Sequence, residues 1–246
     1  MMAGLPDFVH ARFDIGKAVV VFTSRRGGVS EGPFAAMNLS PYVGDVAEHV
    51  KENRRRLAAY LGAPDIVTVE QVHGNTYLDL DFIQLKEPSH LELQADALLT
   101  SRPGLPLAVL TADCLPLILV SSAGQVAAVH CGWRGLVDRI VPRVVKKMKG
   151  KIRAFIGPGI SACCYEIGKE VYADIYAIHK EAVQERNGKL FADLKKFIYL
   201  ELVKNDVAPD SIYVSEVCTY CRPDLFFSYR RAKKTGRQAG IVIIRE

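Results

Sequence analysis

Hydrophobic and polar positions along the chain fall into two alternating patterns. Short continuous apolar or β-branched runs predict strands at residues 17–22, 66–72, 107–111, 117–120, 125–130, 152–156, 212–214 and 240–244. Between several of these runs the apolar positions recur at helical spacing. Val46, Val50, Leu57 and Leu61 mark one face, and Leu136, Ile140, Val144 and Met148 a second. Val171, Ile175, Ile178 and Ala182 mark a third, and Leu194, Phe197, Ile198 and Leu202 a fourth. Asp45 with Glu48 predicts a capping box for the first helix, and Gly62 predicts its end. Pro142 should bend the second helix or confine it to shorter pieces, because it lacks a backbone N–H. Strands that alternate with helices predict an α/β protein. The strands between 107 and 130 follow one another too closely for helical crossovers, so the sheet should be mixed, with helices on both faces. The chain carries no internal repeat or low-complexity linker, and a single domain over 1–246 is expected.

Composition narrows the class. With 49% apolar and 24% charged residues the chain is unlike a disordered or collagen-like polypeptide. The most apolar stretch, 105–129, is interrupted by Asp113, Pro116, Ser121, Ser122 and Gln125, so no membrane span is expected. Residues 1–16 contain no continuous apolar segment, so we expect no secretory leader and a cytoplasmic location. Six cysteines, at 114, 131, 163, 164, 218 and 221, are then expected as reduced thiols. The net charge of +5 is too small to argue for nucleic acid but suits a small anionic ligand.

Three potential metal ligands stand at predicted strand ends: His73 after 66–72, Cys114 after 107–111 and His130 at the end of 125–130. Ends of sheet strands are where α/β proteins place their sites. Two imidazoles and a thiolate make a three-ligand zinc site with one open position, although each residue taken singly reads more simply as a core residue. Strand alternation directs His130 and Cys131 to opposite sides, and Asp113 and Cys114 likewise, so Cys131 should not ligate the same ion as His130. The loop Ser24-Arg25-Arg26-Gly27-Gly28-Val29-Ser30 can bring backbone N–H groups to an anion, yet it is neither a P-loop nor a dinucleotide fingerprint. His90-Leu91-Glu92 with Cys218-Thr219-Tyr220-Cys221 resembles a zinc deaminase signature only superficially, since Val217 rather than proline precedes Cys218. A lone C-x-x-C is also weak support for a redox or structural-metal role. Aromatics beside arginines over 224–237 can clamp a planar base and an anion, or simply pack with solvated charges behind them.

Several blocks together resemble the YfiH/YlmD family, which carries the labels laccase-like polyphenol oxidoreductase, purine nucleoside phosphorylase and peptidoglycan editing factor. The blocks are Ser24–Ser30 with Asn38-Leu39, Glu70–Gly74, Ala95–Leu98, Thr111–Cys114, His130–Gly135, Gly157-Pro158 through Glu166, and Phe226 through Gly240. The resemblance spans nearly the whole chain. Two positions depart from the family pattern: Cys131, where a small residue is usual, and Ala232, where Asp is usual.

The resemblance implies one α/β domain and a zinc site at His73, Cys114 and His130. It also implies phosphorolysis of purine nucleosides, methylthioadenosine included, and adenosine deamination. On that reading Arg25, Arg230, Arg231 and Arg237 are candidate phosphate holders. Asn38 and Gln71 are candidate hydrogen-bonding groups, and Asp113 is a candidate base or orienting residue. The expected partners are a purine nucleoside and phosphate, with no nucleic acid and no membrane; the oligomeric state stays open. A copper oxidase of phenols is disfavoured, because the six histidines at 10, 49, 73, 90, 130 and 179 include no His-x-His pair, although copper is an alternative occupant of a His/Cys site. A cysteine hydrolase with Cys114 as nucleophile, matching the peptidoglycan-editing label, is a third reading, and a non-catalytic binding module a fourth.

Overall fold

The computed structural model describes residues 5–85 and 89–246. The first four residues of the segment in which no leader is read lie outside the described residues.

In chain order the strands are β1 (Val9–Ile15), β2 (Ala18–Thr23), β3 (Thr68–Glu70), β4 (Tyr77–Asp79), β5 (His90–Gln94), β6 (Ala97–Thr100), β7 (Leu107–Thr111) and β8 (Leu115–Ser121). They continue with β9 (Val126–Cys131), β10 (Ile152–Ile156), β11 (Glu166–Ile167), β12 (Val183–Arg186), β13 (Lys189–Ala192), β14 (Ile212–Val214) and β15 (Gln238–Ile244). The helices are α1 (Ala47–Leu61), α2 (Trp133–Val137), α3 (Ile140–Val145), α4 (Lys169–Ile178) and α5 (Leu194–Lys204).

The strands build two principal sheets. One is antiparallel, in the order β1-β2-β15-β7; the other is mixed, in the order β14-β10-β8-β9-β6-β4. Two small sheets, β11-β13-β12 and β3-β5, complete the set among the described residues. The sheets stack face to face: Val20, Phe22, Val109 and Val242 pack against Ile118, Val120, Ala128 and Phe155. The outer face of the antiparallel sheet, with Val19, Val21, Ile241 and Ile243, is covered by Leu57 of α1 together with Met37 and Leu39. The outer face of the mixed sheet, with Leu117, Leu119, Val129 and Ala154, is covered by α2 to α5 through Leu136, Val144, Ile175 and Phe197. The central strands are therefore apolar on both faces, which is why they read as continuous hydrophobic runs.

The α/β class and helices on both outer faces match the sequence expectation, while the strands divide between two stacked sheets rather than one. Other differences are local. Helix α1 starts at Ala47 with Val46 at the cap, because the Asp45 carboxylate instead accepts from Ser30 Oγ (2.6 Å), Asn38 Nδ2 (2.9 Å) and the Val46 N–H. Gly62 ends that helix with φ 73°. The expected strand 66–72 shortens to β3, and the chain beyond it turns into the site described below. The helix after Gly135 divides into α2 and α3 at Arg139, which takes φ 68°, and Pro142 lies in the first turn of α3, where its missing N–H breaks no hydrogen bond. The helix expected through Ala182 ends at Ile178, leaving Ala182 in a 3-10 turn. The short or partly exposed strands β1, β4, β5, β6 and β11 to β13 had no clear sequence signal.

Candidate metal centre

Strand register brings the chemistry together. In the mixed sheet β9 lies between β8 and β6, pairing Leu115 with Cys131 and Ala97 with Val129. Cys114, one residue before β8, and Asp96, one residue before β6, thus flank His130 near the end of β9. His73 arrives from the turn after β3, which is held in place by Asp96. The Asp96 carboxylate, fully buried, accepts from the backbone N–H groups of His73 (2.9 Å) and Gly74 (2.7 Å) and from Nδ1 of His130 (2.7 Å).

The ligating atoms of His73, Cys114 and His130 lie within 4.8 Å of one another. A carboxylate can only accept, so Asp96 holds a proton on His130 Nδ1 and turns Nε2 toward Cys114, the nitrogen that would face a bound metal once it gives up its own proton. Two glycines make the close approach feasible. A Cβ on Gly132 would stand 2.9 Å from His73 Cδ2, and one on Gly135 would stand 2.5 Å from the Gly74 carbonyl oxygen. His73 (φ 62°) and Asp113 (φ 97°) both occupy the left-handed region, a strain of ~1–3 kcal/mol each that concentrates at functional sites. The donor set, its mutual spacing and the Asp96 support fit a divalent ion such as zinc.

Charge follows the same geometry. Burial pushes the Cys114 thiol up, but the His130 charge and hydrogen bonds from both histidines outweigh it and bring it down to about 6. Burial pulls His130 down, and the Cys114 and Asp96 anions more than reverse this. For Asp96, burial raises the carboxyl, and His130 together with the Gly74 and His73 N–H groups outweighs it, so the group is held below its ordinary value.

The centre opens into a cavity of about 930 Å³, lined among others by His73, Cys114, His130, Tyr42, Tyr229 and Arg237. Glu70, Glu92, His90 and Arg134 also line it. Among the described residues the arginines of its lining are Arg134 and Arg237, and Nη1 of Arg237 donates to the carbonyls of Thr235 and Gly236. The residues expected from the sequence are distributed unevenly. Arg25 donates to the carbonyls of Ala35 and Pro223 and stacks on Phe227, outside the cavity lining. Arg231 is committed to the carbonyls of Thr219, Tyr220 and Phe226, and Arg230 donates to that of Glu166. Asn38 is buried and braces Ser40, Asp45 and the Arg237 N–H. Gln71 lines the cavity, but its amide pairs with both backbone groups of Leu110. Asp113 accepts from Thr219 Oγ1 (2.7 Å), Ser228 Oγ (3.0 Å) and the Arg230 N–H (2.7 Å), which makes it a clamp on the 219–230 loop rather than a free base.

Sequence reasoning gave Asp96 and Arg134 no role, although both lie in blocks that carry the family resemblance, and weighed His90 only within the deaminase-like signature. Arg54 donates to Thr68 Oγ1, and that hydroxyl lies 3.0 Å from His90 Nδ1. The second ring nitrogen of His90, Nε2, is buried and has no hydrogen-bond partner among the described residues. Burial, followed by the nearby Arg54 charge, lowers the His90 pKa and favours the neutral imidazole. The superficial deaminase signature does not assemble: His90 faces this cavity, whereas Cys218 and Cys221 join Cys163 and Cys164 elsewhere. Cys131 packs among the apolar side chains under α2 to α5, on the opposite side from His130.

Residues 19–245 match the family described as multi-copper polyphenol oxidoreductase laccase. The purine nucleoside phosphorylase YfiH of Shigella flexneri is 37% identical over 247 residues, covering 97% of this chain and 99% of that protein. A purine nucleoside phosphorylase of Deinococcus radiodurans is 40% identical over 232 residues, covering 90% and 87%. The crystal structure of YlmD from Geobacillus stearothermophilus superposes with a TM-score of 0.87 at 34% identity, covering 99% of this chain and 95% of that one. On sequence and fold together, the chain belongs to the laccase-like polyphenol oxidoreductase family that includes YfiH and YlmD.

Proposed function

We propose that the protein is a purine nucleoside phosphorylase with zinc at His73, Cys114 and His130. The observation that carries this reading is the His/Cys/His centre, braced by Asp96 and opening on a cavity with room for a nucleoside and phosphate that is also lined by Arg134 and Arg237. The names of the relatives supply the substrate class. When bound, zinc contributes Lewis-acid polarisation and a lowered pKa for water.

The chain's own residues do the rest. Arg237 and Arg134 hold phosphate at the cavity wall by charge-assisted hydrogen bonds. A phosphate oxygen bonds to the anomeric carbon of the ribose. The bond from that carbon to the purine nitrogen breaks, and the electron pair leaves with the purine, which takes up a proton. That proton comes from the attacking phosphate, and His90, neutral and lining the cavity, is suited to hydrogen-bond the departing base. Tyr42 and Tyr229 offer aromatic surface for a planar purine, and Glu70 and Glu92 offer acceptors for ribose hydroxyls. Asp113 acts as a positioning residue.

We extend the reading to methylthioadenosine phosphorolysis and to adenosine deamination, in which water adds at the ring carbon bearing the amine and ammonia leaves. One domain, a cytoplasmic location, and the absence of nucleic-acid or membrane partners belong to the same proposal. Among the described residues no helix is long and apolar enough to cross a membrane. Copper is the alternative occupant of the centre, since it outcompetes zinc at many nitrogen and sulfur sites.

One observation favours a second reading. The Cys114 thiol, brought down beside His130, resembles an activated nucleophile for amide or ester hydrolysis, which matches the peptidoglycan-editing label. A phosphate-dependent assay of the purified protein against a nucleoside panel, before and after metal removal, separates the two. Release of free base that requires phosphate and metal supports phosphorolysis. Metal-independent turnover of an amide or ester, with an adduct on Cys114, overturns it.

A further inference from the structure

A second cluster of four cysteines lies apart from the proposed active centre. Strands β10 and β14 run parallel, pairing Ala154 with Ile212 and Ile156 with Val214, and the alignment continues as a bridge between Gly159 and Cys218. The loops leaving the two strands therefore emerge side by side. One carries Cys163 and Cys164, the other Cys218 and Cys221, so the C-x-x-C that is weak in the sequence acquires a partner pair 54 residues or more away.

The four sulfurs all lie within 4.8 Å of one another, with Cys221 Sγ 3.8 Å from Cys163 Sγ and 3.3 Å from Cys164 Sγ. Zinc–thiolate bonds of about 2.3 Å in a tetrahedron put neighbouring sulfurs ~3.8 Å apart, so the cluster is sized for one ion. An iron–sulfur cluster would have to interpose several irons and sulfides between these sulfurs, and the spacing leaves no room for them.

Two further features fit a tetrathiolate ion. Cys218 Sγ accepts the Ser161 N–H at 3.4 Å, the outer support that metal-bound thiolates commonly receive. Four thiolates around a divalent ion leave two negative charges. Lys195, 7% exposed, projects its ammonium to the same junction and donates to Ser161 Oγ and the Val217 carbonyl, both at 2.9 Å. Cys163 and Cys221 are exposed, which gives an ion access.

We infer that Cys163, Cys164, Cys218 and Cys221 form a second, structural zinc site that fastens the loop after β10 to the loop after β14. The site would brace the active centre from behind, because Thr219, next to Cys218, donates to Asp113, the neighbour of Cys114.

The test counts metal and does not depend on turnover. Full-length protein, purified anaerobically without chelator, is analysed for zinc by native mass spectrometry and for free thiols. The same is done for His73→Ala, which weakens the first centre, and for Cys218→Ser with Cys221→Ser. Two ions per chain in the parent, one retained in His73→Ala and one lost in the double variant are expected. Cobalt added to metal-free His73→Ala should give the intense sulfur-to-metal absorption of a four-thiolate tetrahedral ion, a readout that survives if the double variant fails to fold. Absence of bound zinc and of that absorption in His73→Ala overturns the proposal. So does isolation of the parent with a Cys164–Cys221 disulfide that takes up no metal after reduction. Either result would leave the phosphorylase reading intact, since that reading rests on the other centre.

Discussion

Asp96 holds both halves of the proposed active centre at once: its Oδ1 lies 2.7 Å from Nδ1 of His130 and 2.9 Å from the backbone nitrogen of His73. One carboxylate thus sets a ligand's tautomer and the path of the turn carrying another ligand. Asp96→Asn offers an amide in place of a pure acceptor and should lower zinc affinity about 10–100-fold, the range for such supporting groups. Competition with a chromophoric chelator measures it; an unchanged affinity would remove Asp96 from its assigned role.

Gly132→Ala tests the spacing at the centre. The new methyl meets His73 2.9 Å away, so the imidazole must shift. We expect lost metal content and lost activity in a protein that still unfolds cooperatively, checked by metal analysis alongside thermal denaturation. Normal zinc content would show that His73 is not a ligand held at that distance.

The arginines divide into two groups with different readouts. Arg237→Ala or Arg134→Ala should raise the KM for phosphate about tenfold or more, corresponding to the loss of ~1.5–3 kcal/mol of charge-assisted hydrogen bonding. Arg231→Ala, which strands three carbonyls, should lower thermal stability and leave that KM nearly unchanged. Steady-state kinetics at varied phosphate, paired with melting curves, decides whether the division is right.

His90→Gln should lower kcat more than it changes KM, because the imidazole is assigned to the departing purine rather than to phosphate. The loss should shrink for a nucleoside analogue whose leaving group is more stable as the free anion. Equal losses for both substrates would remove His90 from contact with the departing base.

In metal-free protein the lowered Cys114 thiol should be ionised above about pH 6. The sign is that of a depressed pKa: protonated and slow below it, thiolate and fast above it. Iodoacetamide labelling at Cys114, followed by peptide mass spectrometry, should rise through that pH, well before an ordinary thiol reacts. Zinc should suppress it. A rise only near pH 8.5, where a free thiol titrates, would show that the imidazoles do not stabilise the thiolate.

How much of this was legible in the sequence depended on burial. Strands β2, β7 to β10 and β15 are apolar on both faces and announced themselves as runs. The β5 and β12 strands, with exposed polar residues, carry no such signature. His73, Cys114 and His130 could be selected because strand ends and alternation restrict where side chains point. Asp96 lay in a block that carried the family resemblance, Ala95–Leu98, but its role could not be read there, since it arises from the β6–β9 register, a long-range property. The arginines show the opposite failure. Arg25 and Arg231 look like anion ligands in any sequence, and only the folded chain reveals the carbonyls that occupy them. The cysteines needed the parallel pairing of β10 with β14 before two unremarkable pairs became one cluster.

The position of β15 has a consequence for synthesis. This strand lies between β2 and β7, yet it follows every other element in the chain. A nascent chain emerging from the ribosome can form the β1–β2 hairpin early, but β2 and β7 have no shared neighbour until Gln238–Ile244 has emerged. The loop that clamps Asp113 and the residue Arg237 come immediately before that strand. The antiparallel sheet and the cavity wall should therefore close together, once Gln238–Ile244 has emerged, so that a chain halted short of β15 would hold the metal ligands without a finished pocket around them.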